Sequence, residues 1–422
     1  MVFFRQRVRL IAGFIALAML AGCMPPPKAA FISPQRLPSQ AALVLNAVRF
    51  ADLAGWRNGD PRKGLDAFRR SCGVIRQKPA DAPLGGAGYA GNAGEWSAVC
   101  DQADAIRAYS PEVVRAFFAS AFVPFRVSRG GEEGLFTGYY EPELRGSRTK
   151  HGAYQTPIYG VPPDLVNMDG EILRDTVMGQ PFAERMLMSI MMMRFVPYPA
   201  RAEIEREGIP GMPLFYTDDP IDAFFLQIQG SGRVVLDDGT LVRVAYAGQN
   251  GQPYTAIGAV LTERGELTSE ELSLQSIRAW LVAHPEDARE VMDANASYVF
   301  FSEAPIGDPA VGAVGAEGVP LVPEASLAVD LAVHALGVPV WLEASAPDPE
   351  PTQPDRAFDH LLVMQDTGGA IRGAVRGDIY WGFGGEAESV AGRMKHPGRL
   401  TVLLPREIAA RLTQHAEFAA PS

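Results

Sequence analysis

The sequence predicts a mainly β protein with some helices, built as two β-rich parts. Three observations carry that reading. From about Leu135 the chain breaks into short runs rich in β-branched and aromatic residues, separated by turn residues. One stretch, RVVLDDGTLVRVAYAG from Arg233, joins two such runs at Asp238-Gly239, a strong hairpin signal. Helical periodicity gathers instead before Leu135 and again around Thr268, so it flanks the β-rich runs rather than alternating with them. The chain of 422 residues, 47% hydrophobic and 21% charged, is long enough for two packed cores.

Taken in order, the chain begins with Arg5, Arg7 and Arg9 and then an apolar run from Leu10 to Ala21. That run is shorter than the roughly 20 apolar residues that span a bilayer, and it fits a secretory signal peptide over residues 1–22. It ends in Leu20-Ala21-Gly22-Cys23, which is similar to a bacterial lipobox and makes Cys23 the expected lipidation site. Met24 after the cysteine implies an anchor on the periplasmic side of the outer membrane. A Pro-rich tether over residues 23–39 follows. Helical patterns are expected near Ala41–Ala51, Gly64–Arg76 and Pro111–Ala121.

Cys72 and Cys100 are left in an exported chain, where an even pair reads as a disulfide; two buried thiols are the alternative. Gly86 to Gly91 matches GxGxxG but follows Pro83 rather than a strand, so a flexible Gly/Ala loop is expected and not a nucleotide site. AFFLQIQ, residues 223–229, reads as an alternating strand with Leu226 and Ile228 on one face and Phe225, Gln227 and Gln229 on the other. Thr268 and Glu271 have capping-box spacing, with Leu274, Ile277 and Leu281 as the apolar stripe of the helix they would start. The Met-rich run Leu187–Met193 reads as core filling. A second β-rich stretch, Ser297 to Leu404, is interrupted by a solvent loop near Ser345.

A net charge of -11 argues against nucleic acid as a partner. Six scattered histidines and the lack of CxxC or HxxxH spacing leave no metal site, and no cofactor is expected. The DTG at Asp366 has no twin, so the paired aspartates of an aspartic protease are missing. Ser231 in QGSGR lacks GxSxG spacing. What remains is three aspartates in strand-like contexts: Asp330 in SLAVD, Asp366 in MQDTGG and Asp378 in RGDIYWG. A carboxylate among apolar strand residues is costly unless hydrogen-bonded or protonated, and burial can turn it into a proton donor near neutral pH.

GLFTGYYEPEL, YQTPIYG, FFLQIQGSGRV, YAGQNGQPYTAIG and QDTGGAIRGAVRGDIYWG, in this order, resemble the membrane-bound lytic murein transglycosylase A family with its C-terminal three-aspartate (3D) domain. The resemblance covers roughly residues 120–410. It implies a double-psi β-barrel domain from residues 40–137 and 291–410, the 3D domain lying at about 325–410. A smaller β-barrel domain is inserted at 138–290, with a substrate groove between the two and a tail at 411–422. It also implies cleavage of the β-1,4 bond between N-acetylmuramic acid and N-acetylglucosamine, leaving 1,6-anhydromuramic acid. Asp378 would then be the catalytic residue, with Asp366 and Asp330 as supporting carboxyls.

Strand alternation puts Asp378 and Tyr380 on one face and Ile379 and Trp381 on the other. Candidate substrate contacts in the matching blocks are Thr137, Tyr139, Tyr140, Gln227, Gln229, Ser231, Tyr246, Gly369 and Arg372. The expected partners are peptidoglycan glycan strands and, through the lipid, a membrane. A two-aspartate glycoside hydrolase and a non-catalytic glycan-binding lipoprotein are the competing readings.

Overall fold

The structure is a computed structural model that describes residues 43–131, 134–168, 171–175, 195–304, 306 and 311–413. The signal peptide, Cys23, the tether, the Met-rich run and residues 414–422 lie outside the described residues. The chain opens with β1 (Leu43–Ala47), α1 (Arg62–Ile75), α2 (Ser97–Ala105), α3 (Pro111–Ala121), β2 (Phe122–Arg129) and β3 (Gly134–Glu141). Next come β4 (Glu143–Ser147), β5 (Thr156–Tyr159), β6 (Leu165–Met168), β7 (Glu171–Asp175), β8 (Phe195–Pro197), α4 (Arg201–Glu207) and β9 (Pro213–Thr217). They are followed by α5 (Pro220–Gln229), β10 (Ser231–Leu236), β11 (Leu241–Gln249), α6 (Ile257–Glu263), α7 (Leu274–Ala283), α8 (Pro285–Asp293) and β12 (Val299–Ala304). The last part holds β13 (Ser326–Val329), β14 (Pro339–Ala346), β15 (Arg356–Asp366), β16 (Arg376–Phe383), α9 (Gly384–Ala391), β17 (Lys395–Pro405) and α10 (Arg406–Leu412).

Two closed sheets organise these strands, in keeping with a double-psi barrel and a second, inserted barrel. In the first, β17-β14-β15-β13-β16-β3 closes because β3 also pairs with β17, while β2 and β1 extend from β17. The pairs β13–β15 and β16–β3 are parallel. In the second, the order is β12-β11-β10-β4-β9-β5, and a bridge between Gly160 and Phe301 brings β5 back to β12. A small sheet of β6, β7 and β8 stands apart from both.

The main core fills the first barrel and the space between it and α1 to α3, where Phe68, Trp96, Phe118 and Phe122 meet ring to ring. Burying one such ring contributes about 1.5–3 kcal/mol. Cys72 on α1 and Cys100 on α2 form a disulfide, with Cα atoms 5.5 Å apart. No helix among the described residues is long and apolar enough to cross a membrane.

Four local expectations are corrected. Leu43–Ala47 is a strand, not a helix, because β2 offers it an edge to pair with, Leu43 opposite Arg129. AFFLQIQ lies in α5, not a strand. Asp219 caps that helix by accepting from Ile221 N–H at 2.8 Å, Pro220 opens it, and Gly230 in the left-handed region closes it. Three local signals thus outweigh a two-residue alternation.

The Thr268–Glu271 box forms, with Thr268 N–H donating to Glu271 at 2.9 Å, but it only closes a turn. The helix starts at Leu274 under the Ser273 cap. The Gly/Ala loop is not loose: Tyr89 is buried with its hydroxyl 2.7 Å from His334 Nδ1, and Gly86 has φ +60° where a Cβ would lie 2.7 Å from the His334 carbonyl carbon. The hairpin stands as read, with Val235 opposite Leu241 and Asp238 accepting from Thr240 N–H across the Gly239 turn.

Candidate active site

Strand directions explain why three aspartates spread over the last hundred residues share one end of the first barrel. β13 and β15 run parallel, so Asp330, just past β13, and Asp366, at the end of β15, emerge at the same edge. β16 runs antiparallel to β13 and starts at that edge, which places Asp378 near its beginning. Ala328 is in register with Asp366 on one side and Asp378 on the other. Both carboxyls therefore rise on one face, two strand spacings or about 9.6 Å apart at the backbone, over a small side chain that leaves room for them.

Asp378 is partly buried. Its Oδ1 accepts from the Thr137 hydroxyl at 2.7 Å, because β3 lies parallel to β16 with Thr137 in register with Asp378. Thr137 in turn accepts from Arg376 Nη2 at 2.8 Å. Burial holds the Asp378 carboxyl above the usual range; Arg376 and the Thr137 hydroxyl pull it down, and the charge of Asp366 pushes it further up.

Asp366 is more heavily bonded. Its Oδ2 accepts from the Tyr139 phenol at 2.8 Å, and its Oδ1 from the N–H groups of Ala316 and Thr367, each at 2.9 Å. Burial raises its pKa, and these three donors oppose that rise. Asp330 accepts from Ala332 N–H at 3.1 Å and Gly373 N–H at 2.9 Å, and Arg372 lies 4.0 Å away. It thus secures the loop leading into β16, and its bonds go to backbone rather than to the other two carboxyls.

A cleft of about 720 Å³ runs past Thr137, the donor to Asp378, although none of the three aspartates is among its walls. Thr137, Phe225, Gln229, Tyr254, Ile277 and Lys395 are among its walls, so it runs between the first barrel and the helices of the second. Of the sequence candidates, Thr137 and Gln229 face it, Tyr246 is 54% exposed on β11, and Ser231 begins β10. Gly369 and Arg372 are exposed on the Asp330-bound loop.

Three candidates are corrected by burial. Tyr139 lies inside, spent on Asp366. Tyr140 is buried, with its N–H donating to Gln229 at 3.1 Å. Gln227 is buried and accepts from Arg201 of α4 at 2.9 Å and from Val299 N–H of β12 at 3.2 Å. They hold the walls rather than present them.

Face assignment on β16 follows the alternation: Tyr380 packs with Tyr139 and Ala328, while Ile379 and Trp381 belong to the main core. Sequence reasoning missed Arg376, although its place two residues before Asp378 puts it on the same strand face. It also missed Lys395, which meets Thr137 only because β17 closes on β3. Tyr254 was missed too. It lines the cleft and is 46% exposed, yet its phenol is pushed up by burial and by the charge of Asp378. The last missed residue is Glu141, buried where the chain passes between barrels.

Two family models match the chain: the MltA specific insert domain over residues 135–302 and the 3D domain over residues 325–404. The fold and sequence are also similar to the crystal structure of membrane-bound lytic murein transglycosylase from Agrobacterium tumefaciens, at 33% identity and TM-score 0.75, covering 87% of this chain and 99% of that one. The chain belongs to the membrane-bound lytic murein transglycosylase A family.

Within the MltA family, the E. coli MltA structure with bound chitohexaose matches at 28% identity and TM-score 0.63, over 87% of this chain and 96% of that one. The membrane-bound lytic murein transglycosylase A of Vibrio cholerae is 33% identical over 270 residues, and that of E. coli K12 34% identical over 274. The chain spans 64% and 65% of the lengths of these two MltA relatives, and the matches cover 63% and 64% of this chain.

Proposed function

We propose that this protein is a peptidoglycan lytic transglycosylase, a lyase acting on the β-1,4 bond between N-acetylmuramic acid and N-acetylglucosamine. One observation carries the mechanism: the two carboxyls flanking Ala328 are unequally occupied. Asp378 receives one hydroxyl beside the cleft, whereas three of the roughly four acceptor positions of Asp366 are filled by protein donors. A two-carboxylate hydrolase needs a second carboxylate free to activate water or attack the sugar. Asp366 is poorly placed for that, and a reaction needing one carboxyl fits better.

Asp378, raised by burial, enters protonated and gives its proton to the glycosidic oxygen as the bond from C1 of the muramic residue breaks. The leaving N-acetylglucosamine takes that oxygen as its 4-hydroxyl. The C6 hydroxyl of the same muramic residue then bonds to C1, and its proton passes to the Asp378 carboxylate. Acid and base are one residue, returned to its starting state, and no water is consumed. Thr137 and Arg376 steady the carboxylate between the two steps. Asp366, Tyr139 and Asp330 support the edge on which Asp378 stands.

The chitohexaose bound by E. coli MltA supports an N-acetylated glycan as ligand here. The name membrane-bound, given to the relatives, supports membrane attachment, which we assign to a lipid on Cys23 at the periplasmic side of the outer membrane on the lipobox-like sequence. The test is Asp378→Asn, which keeps shape while removing proton transfer. Glycan binding is expected to persist and turnover to fall by at least about a thousandfold. Turnover within tenfold of wild type would refute the assignment of Asp378.

A further inference from the structure

Away from Asp378, one buried carboxylate joins both passages of the chain between the barrels. The chain leaves the first barrel at Glu141, the last residue of β3, and enters the second at Glu143. It returns after β12 through Val311 and Ala313. Glu141 is fully buried, and its Oε2 accepts from Nε of Arg233 and Nε of Arg243, each at 3.1 Å. Those arginines are direct cross-strand partners on β10 and β11, an arrangement in which like charges repel unless an anion lies between them.

The other oxygen serves the first barrel and the return passage. Oε1 accepts from the Tyr380 phenol at 2.8 Å and from Ala313 N–H. Arg243 also donates to the Val311 carbonyl, and the Arg233 guanidinium lies over the Phe383 ring of β16. At Gly312 a Cβ would come within 2.8 Å of the Tyr380 ring, so glycine is what lets the returning segment pass that closely. Tyr380 stands two residues from Asp378, and its ring packs 5.4 Å from that of Tyr139, the donor to Asp366.

We propose that Glu141 is a positioning residue: it clasps the two barrels and so fixes the cleft across which a sugar chain lies, a role that rests on the glycan reading above. Each acceptor position has a separate duty, two toward the second barrel, one toward Tyr380 and one toward the return passage. Glu141→Gln keeps the shape but takes away the negative charge that lies between the two opposed, buried guanidinium groups. The barrels then shift relative to one another, and a ligand touching both walls loses more than one touching a single wall.

The experiment uses the full chain carrying Asp378→Asn, with and without Glu141→Gln. It measures calorimetric binding of the N-acetylglucosamine hexasaccharide and disaccharide, together with hydrogen exchange. The clasp predicts about tenfold weaker hexasaccharide binding, a disaccharide affinity within twofold, and about tenfold faster exchange at Ala313 and along β4 while β16 stays protected. Should Glu141→Gln fail to fold, Tyr380→Phe, which removes one donor, is expected to weaken the hexasaccharide about threefold and spare the disaccharide. Unchanged hexasaccharide affinity, or equal weakening of both sugars, overturns the clasp. If the Asp378→Asn chain binds neither sugar, the glycan reading fails, and exchange at Ala313 then decides the clasp by itself.

Discussion

Replacing Thr137 by valine keeps the shape of the side chain on β3 and removes the hydroxyl that donates to Asp378 Oδ1 at 2.7 Å. A hydrogen bond to a carboxylate contributes about 1.5–3 kcal/mol and favours the ionised form. Its loss removes that preference for the ionised form and so raises the Asp378 pKa. Arg376 keeps its bonds to the carbonyls of Leu135 and Gly377, so its charge stays nearby and the change reports mainly on the lost hydroxyl.

Because Asp378 must be protonated to start the reaction, kcat/KM falls on the alkaline side as it ionises. A higher pKa therefore moves that limb to higher pH. The assay is a pH profile of kcat/KM on soluble glycan strands for wild type, Thr137→Val and Thr137→Ser, the last of which restores the hydroxyl. An alkaline limb that stays in place or moves to lower pH in Thr137→Val refutes the account of how Asp378 is tuned.

Other outcomes follow from the same contacts. Asp378 is raised by burial, so its ionised form costs native stability above the unfolded carboxyl range. Asp378→Asn should melt higher than wild type at neutral pH and equally in strong acid; a lower neutral melting point counts against that burial cost. Glu317, bonded by the Ser71 hydroxyl at 2.6 Å, is pushed up to about 7 by burial. With the folded value above the unfolded one, wild type loses stability relative to Glu317→Gln as pH rises from about 4.5 to 7, by up to about 3 kcal/mol, and the gap is constant beyond. Parallel melting curves across that range contradict this. Removing the Cys72–Cys100 bond, whose loop spans 28 residues, should cost about 3.5 kcal/mol, read as a lower unfolding midpoint in Cys72→Ser with Cys100→Ser. An unchanged midpoint argues that the link does not constrain the unfolded chain.

Much of this was legible in the sequence where the signal is local. The Asp238-Gly239 hairpin, the helices at Arg62 and Pro111 and the two faces of GDIYWG all rest on residues within a few positions of one another. Expectations failed where two local signals competed: AFFLQIQ alternates like a strand, but Asp219, Pro220 and Gly230 fix a helix around it. They also failed where tertiary pairing decided, as for Leu43–Ala47, which is a strand because β2 needs a partner.

At the site, the aspartates stood out as polar residues in apolar strands, but their unequal roles did not. That difference depends on which backbone N–H groups and phenols fold over each one, and Tyr139 and Ala316 are remote from Asp366 in sequence. Glu141 was invisible for the same reason. Its two arginines lie about a hundred residues away, and although the Asp238-Gly239 turn sets them opposite each other, nothing local ties that pair to Glu141.

The central claim, that one carboxyl carries both proton transfers while the sugar attacks itself, is tested most directly by the mass of the products. Peptidoglycan strands digested by the purified chain in water labelled with heavy oxygen should yield 1,6-anhydromuramyl ends that are lighter than reducing ends by one water and free of label. Reducing muramyl ends carrying the label would contradict the account, since they require a water activated by a second group.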